Sequence, residues 1–266
     1  MSIFQRAILT HGGAGSDPQY SDGPKAAAKM GMDLMANGET ALNAVVRAVR
    51  YLEDDPRFNA GLGSQIRSDN TTIQLDASCM TSIGEFGAVA CIEGVQNPVD
   101  LAWGVLQHSP HILIVGDGAK VFAHENNISM IPMGHLNHTI PQSSSCDTVG
   151  AVAFDGTLFA AALSTGGLKK AAMGRVGDVP LPGCGLFCGP AGAIACTGDG
   201  EFIALKILAK EVYGWLENNM NPEKAAQKAM ALFDDRVDIG LIILTQTQFA
   251  LNSRNGMACS HLMESR

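Results

Sequence analysis

Charge is scarce in this chain. Only 17% of its 266 residues are charged, against about a quarter in an average soluble domain, and 18 Lys+Arg against 26 Asp+Glu leave a net charge of −8. With no basic stripe to neutralise a phosphate backbone, the composition argues against nucleic acid as a partner, and against anionic lipid as well. Long apolar runs are also lacking. The uncharged stretch 179–198 approaches the length of a membrane span, but Pro180, Pro182, Pro190 and several glycines interrupt it, so it reads as loop plus a short strand. The run Ala7-Ile8-Leu9 is too short for the core of a signal peptide. A cytoplasmic protein with no membrane partner is expected.

Paired cysteines are missing as a pattern. Cys79, Cys91, Cys146, Cys184, Cys188, Cys196 and Cys259 are odd in number and widely spread, in a chain large enough to bury a core without disulfides. Most are expected to behave as small buried hydrophobes. Cys184, Cys188 and Cys196 lack the two-residue knuckle of a zinc site. Several catalytic signatures are absent too. His11-Gly12-Gly13 after a strand looks like the oxyanion loop of an esterase, but no Gly-x-Ser-x-Gly elbow accompanies it, which leaves a turn histidine at a strand end. Neither Gly183-x-Gly185 nor Gly198-x-Gly200 completes a dinucleotide fingerprint, and there is no Walker lysine.

What is present is a regular alternation of elements. Period-2 patterns predict strands over 6–11, 72–80, 88–94 and 112–115, and helical periodicity predicts helices over 22–37, 40–53, 98–107 and 118–125. Residues 126–147 carry no steady period and form the best linker, closed by Gln142-Ser143-Ser144-Ser145. Two apolar runs, 148–154 and 157–163, flank Asp155-Gly156 and predict a hairpin. A strand near 193–196, helices near 201–217 and 222–233, and strands over 239–245 and 249–252 complete the chain. Strands apolar on both faces suggest sheets packed on each other and covered by helices, an α+β protein with α, β, β and α layers.

Small polar residues gather at strand ends: Asp147-Thr148, Ser164-Thr165-Gly166-Gly167, Gly174-Arg175-Val176-Gly177-Asp178 and Thr197-Gly198-Asp199-Gly200-Glu201. Singly, hydroxyls beside glycine are turns. Together they admit another reading, because a Thr directly after a linker and before a buried strand can become a new amino terminus. A free α-amine titrates near ~7.7 to 8.0, close enough to neutrality to activate the hydroxyl of its own residue.

At these residues the chain resembles the plant-type asparaginases, or isoaspartyl peptidases, of the N-terminal-nucleophile hydrolases. The likeness runs through His11-Gly12-Gly13-Ala14-Gly15, Leu52-Glu53 to Phe58-Asn59-Ala60-Gly61, Gly63-Ser64, Leu75-Asp76-Ala77 to Met80, Gly87-Ala88-Val89-Ala90, Asn97-Pro98-Val99, Ser109-Pro110-His111 and the four segments above. It implies a four-layer αββα sandwich. It also implies self-cleavage between Asp147 and Thr148, dividing one domain into an α-subunit of residues 1–147 and a β-subunit of residues 148–266.

By the same resemblance, Thr148 attacks a β-amide with its own amine shuttling protons, and Thr165 holds the nucleophile's network. The Thr197 hydroxyl and Gly198 amide form the oxyanion site, and Asn59 lies against the nucleophile. Arg175 takes the substrate α-carboxylate, and Asp178 with the Gly200 carbonyl takes the α-ammonium. Backbone carbonyls of Leu52, Glu53, Asp55, Phe58, Ala60 and Leu62 hold a structural sodium, no catalytic cofactor is implied, and a homodimer of processed units is expected. The substrate is L-asparagine, a β-aspartyl dipeptide, or both, since these share their α-groups and scissile carbonyl.

Asp147 stands where many members have Gly, the linker is short, and Val179 replaces a frequent small hydroxyl residue. Asp199 occupies a position that varies in the family. The glycosylasparaginase branch shares the Asp but lacks the His-Gly-Gly-Ala-Gly opening, and retention of Asp178 argues against a taspase-like protein cleaver. A non-processing relative that binds an amino acid or partner without chemistry is the alternative of another class.

Overall fold

The computed structural model describes residues 3–130 and 148–265, and the Asp147 side of the expected cleavage site lies outside them. Strand β1 (Phe4–Ala14) contains the fully buried run Ala7-Ile8-Leu9. Helices α1 (Asp22–Ala36) and α2 (Ala41–Glu53) follow. Gly38, at φ +91°, turns the chain between them, and the Thr40 hydroxyl caps α2 by accepting from the Asn43 amide at 3.2 Å. Next come β2 (Leu75–Thr81), β3 (Phe86–Ile92), α3 (Pro98–His108), β4 (Leu113–Val115) and α4 (Gly116–Glu125). Pro98 sits in the first turn of α3, where its missing N–H costs no hydrogen bond.

After the linker come β5 (Val149–Phe154), β6 (Phe159–Thr165), β7 (Leu186–Gly189) and β8 (Gly192–Gly198). Helices α5 (Gly200–Lys206), α6 (Leu208–Glu217) and α7 (Pro222–Met230) lead to β9 (Ile239–Leu244), β10 (Phe249–Ser253) and β11 (Met257–Ser265).

The chain is α+β. Its strands form a seven-stranded sheet in the order β11-β1-β5-β6-β2-β3-β4 and a four-stranded sheet in the order β10-β9-β8-β7. One apolar cluster joins Leu9, Val152 and Leu163 of the first sheet to Leu186, Ala195 and Ile242 of the second. A second joins Ala77, Val89 and Ala151 to Ala44, Val49 and Val105 of the helices, and a third joins Ile194, Leu241 and Ile243 to Val212, Trp215 and Ala226. Strands buried on both faces carry apolar residues at successive positions instead of alternating.

The Asp155-Gly156 hairpin forms as expected, with Phe154 opposite Phe159. Four features differ from expectation. The predicted helix over 201–217 is two helices, because Ile207 adopts the left-handed conformation at φ +48°. Stretch 179–198 holds two strands, β7 and β8, paired across the Pro190-Ala191 turn. The carboxy-terminal β11, which no sequence pattern announced, pairs along almost the whole of β1. The helix predicted over 222–233 ends at Met230.

Candidate active site

Antiparallel pairing brings the carboxy-terminal ends of β1 and β6 beside the amino-terminal ends of β5 and β2. The register places His11 opposite Gly150, Val149 opposite Ser164 and Thr165 opposite Asp76. Thr148 precedes β5 directly and is buried, and the end of β8 reaches the same place from the second sheet. There the Thr197 hydroxyl accepts from the Ala14 amide at 3.0 Å and donates to the Thr148 carbonyl at 3.4 Å. The three threonines singled out from sequence thus lie at the ends of three interior strands, β5, β6 and β8, with Thr197 bonded to Thr148.

His11 is fully buried, and an added Cβ at Gly150 would lie 2.3 Å from its Nε2. Burial pushes its pKa down to about 3, against a small opposing pull from the Thr148 backbone, so the ring is neutral near pH 7. It is a neutral, buried group packed against Gly150 at the start of β5.

The Thr165 hydroxyl accepts from the Gly167 amide at 3.1 Å, which fixes the turn leaving β6. Asn59 clasps the same turn: its Nδ2 donates to the Gly167 carbonyl at 2.7 Å, and its backbone carbonyl accepts from the Gly166 amide at 3.0 Å. A Cβ at Gly166 would meet Asn59 Oδ1 at 2.5 Å and Ser64 Cβ at 2.4 Å, so only glycine fits. Gly198, at φ +127°, is equally constrained, since a Cβ there would lie 2.2 Å from the Asp238 carbonyl.

Arg175 and Asp178 do come together, but not as an isolated local pair. Arg175 Nε and Nη2 donate to both oxygens of Glu201 at 2.8 and 2.6 Å. Its side chain is 15% exposed, against 54% for Glu201. Burial works against the guanidinium charge, yet the Glu201 pair outweighs it and raises the pKa of Arg175. Asp178 is buried, and burial lifts its carboxyl to about 7, with Arg175 pulling it back and Asp76 and Glu201 adding to the rise. Its Oδ2 has no hydrogen-bond partner among the described residues. A Cβ at Gly200 would sit 2.8 Å from Asp178 Oδ1 and 3.1 Å from Arg175 Nη2, so the backbone opening α5 lies beside both side chains. Asp199 is turned away from the clamp, with its Oδ2 accepting from the Asp238 amide at 2.9 Å.

The expected cation loop consists of tight turns. The carbonyls of Leu52, Asp55, Phe58 and Ala60 each accept a backbone amide, and a carbonyl oxygen has two lone pairs to share. A Cβ at Gly61, at φ +49°, would fall 2.4 Å from the Glu53 carbonyl oxygen. Neutral carbonyl oxygens are the donor type that a monovalent cation takes. The Glu53 side chain has a separate duty: Oε1 accepts from the Val99 amide at the start of α3 at 3.0 Å, and burial raises its pKa to about 8.

Glu201, Asp76, Arg67 and Gln74 had no role predicted from sequence. Glu201 and Asp76 stood inside the matched segments. Arg67 and Gln74 carried no signal, because only the fold brings them against the loop of Gly174 and Arg175.

The family model described as Asparaginase matches residues 4–139 and 129–261. The chain is similar to an isoaspartyl peptidase/L-asparaginase of Danio rerio, 35% identical over 87% of this chain and 82% of the relative. It is similar to a plant-type L-asparaginase of Pyrococcus horikoshii, 35% identical over 85% and 84% of the two chains, and to an isoaspartyl peptidase of Escherichia coli, 34% identical over 77% and 75%. With matches of that extent, the chain belongs to the asparaginase family.

Proposed function

We propose that this protein is a self-processing amidohydrolase that releases L-aspartate from L-asparagine, from β-aspartyl dipeptides, or from both. The observation that carries this reading is the Thr197 hydroxyl, set between the Ala14 amide and the carbonyl of Thr148. The packing of two sheets between helices supports the four-layer αββα arrangement of N-terminal-nucleophile hydrolases. The mature chains are then 1–147 and 148–266, separated by attack of the Thr148 hydroxyl on the Asp147 carbonyl and hydrolysis of the resulting ester.

In turnover the freed Thr148 amine takes the hydroxyl proton as Oγ attacks the substrate β-carbonyl. The oxygen gains negative charge and is met by the Thr197 hydroxyl and the Gly198 amide. Collapse breaks the C–N bond, and the proton held on the amine goes to the departing ammonia or, from a β-aspartyl dipeptide, to the α-amine of the departing amino acid. Water, deprotonated by the same amine, then opens the ester and releases aspartate. Thr165 and Asn59 hold the turn beside the nucleophile. Arg175 receives the α-carboxylate, and Asp178 with the Gly200 carbonyl receives the α-ammonium. The carbonyls of Leu52, Glu53, Asp55, Phe58, Ala60 and Leu62 would hold a sodium ion, which would stiffen the loop that presents Asn59.

The test is the intact mass of fresh and aged protein, with terminal sequencing of fragments, alongside ammonia release from L-asparagine. Cleavage before Thr148 and turnover are expected in the wild type, with both abolished in Thr148→Ala. Normal ammonia release from Thr148→Ala would remove the nucleophile from this residue. L-Asparagine binding by an uncleaved, inert wild type would replace catalysis with binding.

A further inference from the structure

Strand β2 is apolar on the side that meets the helices, where Leu75, Ala77 and Cys79 join the core cluster beneath them. Side chains alternate across a strand, so Gln74, directly before β2, shares the opposite side with Asp76, Ser78 and Met80, and Met80 there joins the cluster between the sheets. An apolar pattern is expected on that side too, yet Gln74 is 7% exposed and Asp76 and Ser78 are both 0% exposed. Buried polar groups persist where they find partners. Gln74 and Ser78 find them on the backbone of residues 174–179, the loop that carries Arg175 and Asp178 with no helix or strand of its own.

The two contacts bracket the clamp. Gln74 Oε1 accepts from the Gly174 amide at 2.9 Å, one residue before Arg175, and the Ser78 hydroxyl donates to the Val179 carbonyl at 2.5 Å, one residue after Asp178. Both anchors are themselves fixed. Gln74 Nε2 donates to Glu93 Oε1 at 3.1 Å, and the Gln74 carbonyl accepts from Nη2 of the buried Arg67 at 2.9 Å. Ser78 lies inside the sheet, opposite Leu163 of β6 and Ala88 of β3. Asp76, between the two anchors, serves β3 instead, its Oδ1 accepting from the Cys91 amide at 2.8 Å. Gly174, at φ +79°, has backbone freedom that other residues lack, and the tether to Gln74 removes it. At the other end the Asp178 carbonyl accepts from the Leu181 and Gly185 amides at 3.2 and 3.1 Å, so the chain turns sharply just where Ser78 holds it.

We propose that Gln74 and Ser78 are positioning residues that set the span of the clamp: Gln74 holds the Arg175 end, which receives the substrate α-carboxylate, and Ser78 holds the Asp178 end, which receives the α-ammonium. The proposal rests on the function given above, and both residues act through the loop backbone without touching substrate. Because each tether lies next to one clamp residue, each governs recognition of one of the two α-groups. Loss of either hydrogen bond relaxes its own end and leaves the other in place.

The experiment compares kcat/KM of the whole purified protein on L-asparagine, on succinamate, which lacks the α-ammonium, and on β-alaninamide, which lacks the α-carboxylate. An analogue that is not turned over is read as a competitive inhibitor of L-asparagine hydrolysis. Ser78→Ala leaves the Val179 carbonyl unpaired and is expected to lose about tenfold on L-asparagine and β-alaninamide, the scale of one buried hydrogen bond, with succinamate unchanged. Gln74→Met keeps the length of the side chain and removes its polar atoms. It should lose about three- to tenfold on L-asparagine and succinamate, with β-alaninamide unchanged. On L-asparagine both losses should lie in KM, with kcat nearly constant. A purely structural role would lower Tm and the active fraction, and so reduce all three amides together. That result, or a wild-type KM in either folded variant, would overturn the proposal. The split between KM and kcat decides the matter if neither analogue binds, and the remaining variant decides it if one fails to fold. A wild type that neither cleaves itself nor hydrolyses L-asparagine would sink the functional reading first, and the proposal with it.

Discussion

The Thr197 hydroxyl accepts a well-formed bond from Ala14 and donates only a long one, at 3.4 Å, to the Thr148 carbonyl. An O–H donor prefers about 2.7 to 2.8 Å, so this donation is weak and readily redirected to a developing oxyanion. Loss of one such donor typically costs ~10² to 10³ in turnover, and Thr197→Ala should fall by that factor in kcat while still being cleaved, if slowly. Turnover of L-asparagine at the wild-type rate would cancel the assignment. Asp178 gives a second expectation. Its folded pKa of about 7 leaves it neutral on the acid side, where it cannot hold an ammonium, so kcat/KM should decline as pH drops through that value. A bound ammonium keeps the carboxylate ionised, so this limb should be missing from kcat at saturation, whereas titration of the Thr148 amine would appear in both profiles. A kcat/KM flat through neutrality would contradict it.

Among the elements, strands were the more legible where both faces are buried, because runs such as 149–154 and 239–244 are apolar at every position. The Asp155-Gly156 turn fixed a pairing from sequence alone. β11 escaped because its exposed end is polar, Ser260-His261 and Glu264-Ser265 breaking the apolar pattern; its place is decided by β1, at the other end of the chain, with no local signal. The α5–α6 break escaped for a different reason. Ile is a poor choice for a left-handed position, which costs a branched residue about 1 to 2 kcal/mol, so no sequence rule would stop a helix there. Ile207→Asn, at a half-exposed site, should accordingly stabilise the fold by about 1 kcal/mol, or raise Tm by roughly 2 to 4 °C for a chain of this size. A lower Tm would mean that the contact of Ile207 with the Gly183 turn outweighs the strain. Of the site, the threonines, Asn59 and the clamp were readable as motif residues, while the Arg67 and Gln74 support was not, because backing of a loop from below leaves no spacing in the sequence.

For the molecule as a whole, the two halves interleave. β1 lies between β5 and β11, and β2 lies against β6, so strands from either side of the 147/148 junction alternate within one sheet. After cleavage the fragments should migrate as a single species in native buffer and separate only in denaturant, and 1–147 alone should show no cooperative unfolding. Free fragments without denaturant would refute this. The outermost pairing of that sheet sets Phe4 against Ser265. A nascent chain still short of β11 leaves one edge of β1 unpaired, and the Ala14 amide that braces Thr197 sits at the end of that strand. Docking of β11 thus works as a latch: the Ala14 brace on Thr197 is expected to set only once two strands far apart in sequence have paired.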